Sequence, residues 1–152
     1  MSDKARGGLF NSLGDISGLS LLDAFAGSGA LSFEAISRGT ASSVAVDIDV
    51  NAFRAMQESI KDLDIGDKVK AIRANVSGWS DNNPDLLFDL VIAAPPYDDL
   101  QPKLVNKITS HVKPGGLFIL DWPDKEPLPA LEDLRFVSEH NYGDAKIVFF
   151  RR

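Results

Sequence analysis

A chain of 152 residues with 44% apolar and 25% charged side chains can bury one continuous core, and its composition is that of an ordinary globular domain. Its formal net charge of −6 excludes broad, nonspecific affinity for nucleic acid and leaves only a local basic patch, drawn from Lys4, Arg6, Lys103, Lys107, Lys113, Arg151 and Arg152. The absence of cysteine excludes disulfides and thiolate metal sites, and neither a membrane-spanning apolar run nor a secretory signal is present, so a single cytoplasmic domain over residues 1–152 is expected.

The first helix is expected over Lys4 to Leu13, weakened by Gly7-Gly8 because each glycine costs about 1 kcal/mol against alanine. Leu19 to Phe25 reads as a strand. Ala30 to Arg38 reads as a helix ended by Gly39. Ser43 to Asp47 forms a second strand, and Asp49 can cap a helix that runs to about Leu63 with Phe53, Met56 and Ile60 on one side. Val69 to Arg73 is a third strand and Phe88 to Ala93 a fourth, with Ser80 to Pro84 as turn material between them.

Leu100 to His111 is helical, Pro102 being tolerable only in its first turn. Lys113-Pro114-Gly115-Gly116 turns the chain into a fifth strand, Leu117 to Asp121. Arg135 to Ser138 and Lys146 to Phe150 close the chain as two further strands with no helix between them. Such an alternation, ending in a strand pair, predicts an α/β fold: a mostly parallel sheet with helices on both faces and one antiparallel strand near an edge.

Asp23-Ala24-Phe25-Ala26-Gly27-Ser28-Gly29-Ala30 sits at a strand-to-helix junction. Gly27 and Gly29 let the backbone approach a ligand, and the next helix offers free N–H groups. Asp47, at the end of the second strand, can grip both hydroxyls of a ribose. The blander account is a tight turn beside a helix cap. A dinucleotide would fit the same loop, but position 32 is Ser where that pattern expects Gly or Ala, and Asp23 would sit poorly beside a pyrophosphate. Asp23 can instead accept a hydrogen bond from the ammonium of a methionine moiety. Together these residues favour S-adenosyl-L-methionine.

The fourth strand runs into Ala94-Pro95-Pro96-Tyr97, a rigid turn with an aromatic at its tip. With this turn, the segments Leu9-Phe10-Asn11, Leu22 to Gly39 and Tyr142-Gly143-Asp144 make nearly the whole chain resemble the RsmD-type 16S rRNA guanine-N2 methyltransferases. The resemblance implies a Rossmann-like, seven-stranded class I methyltransferase fold. The loop from Asp23 through Phe25, Ala26, Gly27, Ser28 and Gly29 would surround the methionine part of the cofactor. Asp47 would take the ribose, Ile48 would pack on the adenine, and Asn75 with Val76 would meet its amino group. It also implies 16S rRNA or the small ribosomal particle as partner, a monomer, and no metal.

Two departures stand out. The N-terminal β-hairpin usual in the family has no counterpart before Leu9, and Ala94 stands where the family carries Asp. An acidic side chain there would accept from the amino group being methylated, so its loss implies reduced activity. Asp98 and Asp99 lie too far along the turn to replace it. The alternatives are a noncatalytic cofactor- or RNA-binding module and a DNA adenine-N6 methyltransferase; a nicotinamide-dependent oxidoreductase ranks below them. Trp79 and Trp122 are expected as core-edge residues, although Trp122 follows the fifth strand where a base could stack. His111 and His140, without metal-ligand spacing, are expected on the surface or in strands.

Overall fold

The computed structural model describes residues 1–152. Five parallel strands form the body of the sheet: β1 (Ser20–Asp23), β2 (Ser42–Asp47), β3 (Val69–Arg73), β4 (Phe88–Ala93) and β5 (Val112–Pro123). Two more, β6 (Arg135–Tyr142) and β7 (Ala145–Arg151), complete it in the order β3-β2-β1-β4-β5-β7-β6, with β7 antiparallel to both neighbours. This is the expected sheet, one antiparallel strand included.

Side chains alternate across it as the two-residue period of a strand requires. Leu21, Leu90, Ile92, Ile119, Ile147 and Phe149 face helices α1 (Asp3–Leu13) and α2 (Ala30–Ser37). Met56 of α3 (Val50–Asp62) packs with Ala45 and Phe33 on the same side. Leu22, Val91, Phe118, Leu120 and Val148 face the other way, onto Trp79 of α4 (Val76–Asn82) and Val105 and Ile108 of α5 (Pro102–Ile108). Both faces are covered, so the middles of the central strands are apolar on both sides, as in Leu21-Leu22 of β1 and Leu90 to Ala93 of β4.

The chain reverses its direction of travel across the sheet between β1 and β4. In such sheets the crevice at the carboxyl ends of those strands is where ligands bind. Asp23, Asp47, Ala94 and Asp121 all lie at or just beyond those ends.

Several boundaries differ from expectation for identifiable reasons. Ser2 caps α1 by accepting from the N–H of Ala5, so the helix starts at Asp3 despite the glycines. Gly8 has its own function in packing: a Cβ there would lie 1.9 Å from the Tyr142 hydroxyl, so the glycine lets Tyr142 rest on α1. β1 ends at Asp23 rather than Phe25, because the chain then leaves the ladder for the loop above it. α4 takes in Ser80 to Asn82, which the sequence reading gives as turn, and apart from Val76 and Trp79 it consists of Ser, Gly, Asp and Asn, all poor helix formers. It forms because Asn75 caps it, accepting from the N–H of Ser77 at 2.8 Å, and because Trp79 anchors it in the core.

α5 begins at Pro102, after Gln101 in a left-handed conformation, and passes into a 3₁₀ turn at Thr109–His111. β5 starts earlier than expected. Val112 pairs with Phe88 and Leu117 with Leu90, so Lys113 to Gly116 is an outward bulge within the strand rather than a turn before it. β6 and β7 extend to a tight turn at Gly143.

His111 corrects the sequence reading. It is fully buried, with Nε2 2.7 Å from Ser80 Oγ and Nδ1 2.7 Å from the Leu86 carbonyl, and it ties the 3₁₀ turn to α4 and to the segment before β4. His140 lies on β6, edge-on to Phe149. Trp79 and Trp122 are both buried; the Trp122 indole N–H donates to the Pro127 carbonyl at 3.0 Å. No helix is long and apolar enough to cross a membrane.

Candidate active site

The loop after β1 is held to the sheet by backbone and carboxylate together. The N–H of Ala26 donates to the Val46 carbonyl at 3.0 Å, and that of Gly27 to Asp47 Oδ2 at 2.8 Å. Asp47 Oδ1 accepts from the N–H of Asp49 at 2.8 Å. Each carboxylate oxygen keeps a second lone pair, so the group remains able to accept hydroxyl donors.

Gly27 and Gly29 both lie in the left-handed region, with φ of +57° and +91°, but they serve different ends. A Cβ on Gly27 would meet nothing within 4 Å, because the residue borders an open cleft. A Cβ on Gly29 would fall 2.8 Å from the Phe33 ring and 3.0 Å from Met56 Cγ. Only Gly27 therefore leaves its backbone open to the cleft; Gly29 allows α2 to pack. Ser28 is exposed at the loop tip, Ala26 is buried beneath it, and Phe25 is half-buried at the cleft.

Asp23 is placed differently from the sequence picture. It is sealed below the loop, with Oδ2 accepting from Ser32 Oγ at 2.8 Å and Oδ1 without a partner. Burial pushes its carboxyl up to about 6, against the opposing effect of the Ser32 bond. Ser32, the departure from the dinucleotide pattern, thus supports Asp23, and its hydroxyl also lies 2.8 Å from Ser43 Oγ.

The cleft beside Gly27 has a volume of about 410 Å³ and is bordered by Asp47, Ile48, Asn75 and Val76. Ile48 is 63% exposed, an apolar side chain standing free where a flat ring could cover it. Asn75 spends one lone pair of its oxygen on capping α4, and its amide is otherwise uncommitted.

A second cleft of about 400 Å³ lies on the far side of the turn after β4 and is bordered by Tyr97, Asp121, Tyr142 and Asp144. Ala94 and Pro96 border both clefts, so the turn forms the wall where the two meet; Pro95 faces the second. Tyr97, 43% exposed, donates its hydroxyl to Asp121 Oδ1 at 2.5 Å. Burial first, and then this carboxylate, push the Tyr97 phenol well above its usual range. Burial likewise raises the Asp121 carboxyl, against the Tyr97 bond.

Asp121, Tyr142 and Asp144 join this cleft without belonging to the glycine loop or to the Pro-Pro-Tyr turn. The usable signal was a carboxylate ending the apolar run Leu117 to Leu120 at the edge of the sheet where ligands bind. Asp99 borders the first cleft, beside Gly27, while Asp98 is exposed. No cluster of His, Asp or Glu side chains is placed to hold a metal.

A seven-stranded sheet of this order, with two clefts meeting at the turn after β4, defines the class I, Rossmann-like methyltransferase fold. The chain belongs to the family described as Conserved hypothetical protein 95, which it matches over residues 1–151. It is similar to the ribosomal RNA small subunit methyltransferase D of Buchnera aphidicola subsp. Acyrthosiphon pisum, 36% identical over 110 residues, covering 70% of this chain and 57% of that protein. It is also similar to the ribosomal protein L11 methyltransferase of Methylococcus capsulatus, 33% identical over 106 residues, covering 70% of this chain. The chain spans only 34% of the latter's length. The Escherichia coli yhhF structure superposes with a TM-score of 0.90 at 23% identity, covering 99% of this chain and 87% of that one, a likeness of fold.

Proposed function

We propose that this chain is an S-adenosylmethionine-dependent RNA methyltransferase acting on the N2 amino group of a guanine in small-subunit rRNA. The observation that carries the reading is the junction of the two clefts at Ala94 and Pro96. A cofactor on one side and a base on the other would meet across that turn. The name of the Buchnera relative supports small-subunit RNA as the target class. A cytoplasmic monomer meeting 16S rRNA or the small ribosomal particle is the setting this function implies.

The residues of the first cleft suit the cofactor. Gly27 leaves open space above its backbone, Asp47 can accept the ribose hydroxyls, and Ile48 can lie against the adenine. The oxygen of Asn75 keeps a lone pair for the adenine amino group, beside Val76. The unpartnered Oδ1 of Asp23 can take the ammonium once the loop over it yields. When bound, S-adenosylmethionine supplies a sulfonium-activated methyl carbon, which an amino nitrogen takes in line.

On the other side, Tyr97 presents a ring on which a base can stack, worth about 1–3 kcal/mol by comparison with single-strand binders. Backbone carbonyls of the rigid Pro95-Pro96 turn can accept from the amino hydrogens and favour a pyramidal nitrogen as positive charge develops. Ala94 removes the side-chain acceptor of the turn itself.

The test is transfer of tritiated methyl groups to unmodified small-subunit RNA, naked and in assembled particles, with duplex DNA and ribosomal protein L11 as competitors. Label in guanine N2 is the expected result. Label in DNA adenine or in protein would move the substrate class. Binding of S-adenosylhomocysteine with no transfer to any of them would make the chain a noncatalytic module.

A further inference from the structure

Ala94 does not leave the substrate side without an acid. Ala93, the last residue of β4, is paired with Leu120 of β5, so Ala94, the first residue past β4, follows beside Asp121, the next residue of β5, at roughly one strand spacing of about 5 Å. Both border the second cleft. Asp121 is 4% exposed, held at Oδ1 by Tyr97, and its Oδ2 has no protein partner and is not sealed from the cleft.

We propose that Asp121 supplies the carboxylate that Ala94 lacks: its free oxygen accepts a hydrogen bond, and then a proton, from the amino group being methylated, while Tyr97 holds the other oxygen. The proposal rests on the methyl-transfer reading above. The balance is simple. The amino nitrogen gains one N–C bond as the bond from the methyl carbon to the sulfonium breaks, with its electron pair left on the departing thioether sulfur. The nitrogen then loses one proton, which Asp121 takes and solvent removes in the next step. Tyr97 is then both a stacking ring and a positioning residue, since its hydroxyl fixes the rotamer of the carboxylate.

The placement has a sequence logic. An acceptor is needed at the wall between the two clefts, and either of two adjacent strand ends can provide it. The other charged groups facing this carboxylate are Asp144, on the turn between β6 and β7, and the amine at Met1, which favours its ionised form. Because burial raises the Asp121 carboxyl, the acid limb of the rate should lie above the usual carboxylate range, the protonated form being inactive.

The experiment compares methyl transfer to unmodified small-subunit RNA by the unaltered chain, Asp121→Asn, Ala94→Asp and the double variant. Asp121→Asn keeps an oxygen for Tyr97, so the fold should hold. The expected result is kcat lowered about 10- to 150-fold with little change in KM for RNA or in S-adenosylhomocysteine affinity. Adding Ala94→Asp to that variant should recover at least about 10-fold, on the same scale.

A second readout needs no turnover. In Asp121→Asn the Tyr97 phenol should titrate nearer its ordinary range, visible by absorbance in a chain with only two tyrosines. Should Asp121→Asn fail to fold, Tyr97→Phe keeps the ring, frees the carboxylate and should lower kcat alone. An active unaltered chain whose Asp121→Asn variant stays within about threefold overturns the role of Asp121 and leaves the function standing. An inert unaltered chain overturns it too. Turnover by Ala94→Asp in that case keeps the methyltransferase reading, and inertness of both variants removes it. An unshifted Tyr97 titration overturns the proposed hold on Asp121.

Discussion

The two sides of the Ala94–Pro96 turn are built in opposite ways. The proposed cofactor side is assembled from short stretches at consecutive strand ends, Asp23 to Gly29 and Asp47-Ile48, and its loop is pinned by backbone hydrogen bonds to β2 and to Asp47. The proposed substrate side gathers Tyr97, Asp121, Tyr142 and Asp144 from three separate parts of the chain. One region is a local motif with a fixed backbone. The other is a meeting of side chains whose chemistry depends on strand order. Substitutions on the first side should therefore damage the fold and cofactor binding, and on the second side turnover.

The largest effect separates the glycines. Gly29→Ala must accept a left-handed φ and a collision with Phe33 and Met56, strain and overpacking that together come to about 2–5 kcal/mol of stability. Gly27→Ala has the same backbone problem but open space, so only about 1–2 kcal/mol is expected. Its methyl group instead enters the cleft. Thermal melts with and without S-adenosylhomocysteine should show Gly29→Ala losing stability in both conditions and Gly27→Ala losing chiefly the ligand's stabilisation. Equal losses in both variants would erase the distinction between a packing glycine and a ligand glycine.

Next is Asp47→Ala. Its carboxylate accepts from two backbone N–H groups, and in the proposed function it also accepts ribose hydroxyls, each charge-assisted bond being worth about 1.5–3 kcal/mol. Calorimetry should find S-adenosylhomocysteine bound about 100-fold more weakly or worse. Affinity unchanged within a few-fold would place the ribose elsewhere.

The comparison also explains what could be read in advance. The seven strands, the antiparallel pair at the end and the glycine loop follow from alternation, capping residues and apolar runs, all local signals. α4 did not follow, because its Ser, Gly and Asn residues are helical only through the Asn75 cap and the anchorage of Trp79. Nor did the burial of His111, whose partners Ser80 and Leu86 are remote in sequence. Asp121 belongs with these. As one carboxylate at a strand end it is unremarked, and only the pairing of β4 with β5 sets it beside Ala94.

Asp23 tests the buried floor of the cofactor side. Its folded carboxyl is raised to about 6 from an ordinary value of 3.8, so the folded state holds the proton more tightly than the unfolded one. The stability it contributes is full below the unfolded value and is lost as pH rises through the folded one. Asp23→Asn should therefore stabilise the ligand-free protein at pH 8 by about 2–3 kcal/mol relative to its effect at pH 3, an order-of-magnitude figure from the shift. The same variant should bind S-adenosylhomocysteine more weakly, since the amide cannot pair with the ammonium as a carboxylate does. Melts across that pH range that run parallel to those of the unaltered protein would mean that Asp23 is not held near neutrality by burial.

The smallest effect concerns Trp122, which by position alone could have stacked on a base. Its ring is 2% exposed within the core formed by Phe118, Leu120 and Val148, and its N–H donates to the Pro127 carbonyl. Trp122→Phe removes that donor and part of the packed ring, with a loss of about 1–3 kcal/mol and a left-over carbonyl on the segment after β5. RNA affinity should not change, because the exposed ring on that side of the turn is Tyr97. Filter binding of small-subunit RNA to Trp122→Phe and Tyr97→Ala distinguishes the two rings: the first should bind as the unaltered chain does, and the second about 5- to 150-fold more weakly. The opposite ranking would put the base on the β5 edge and move the substrate side one strand across the sheet.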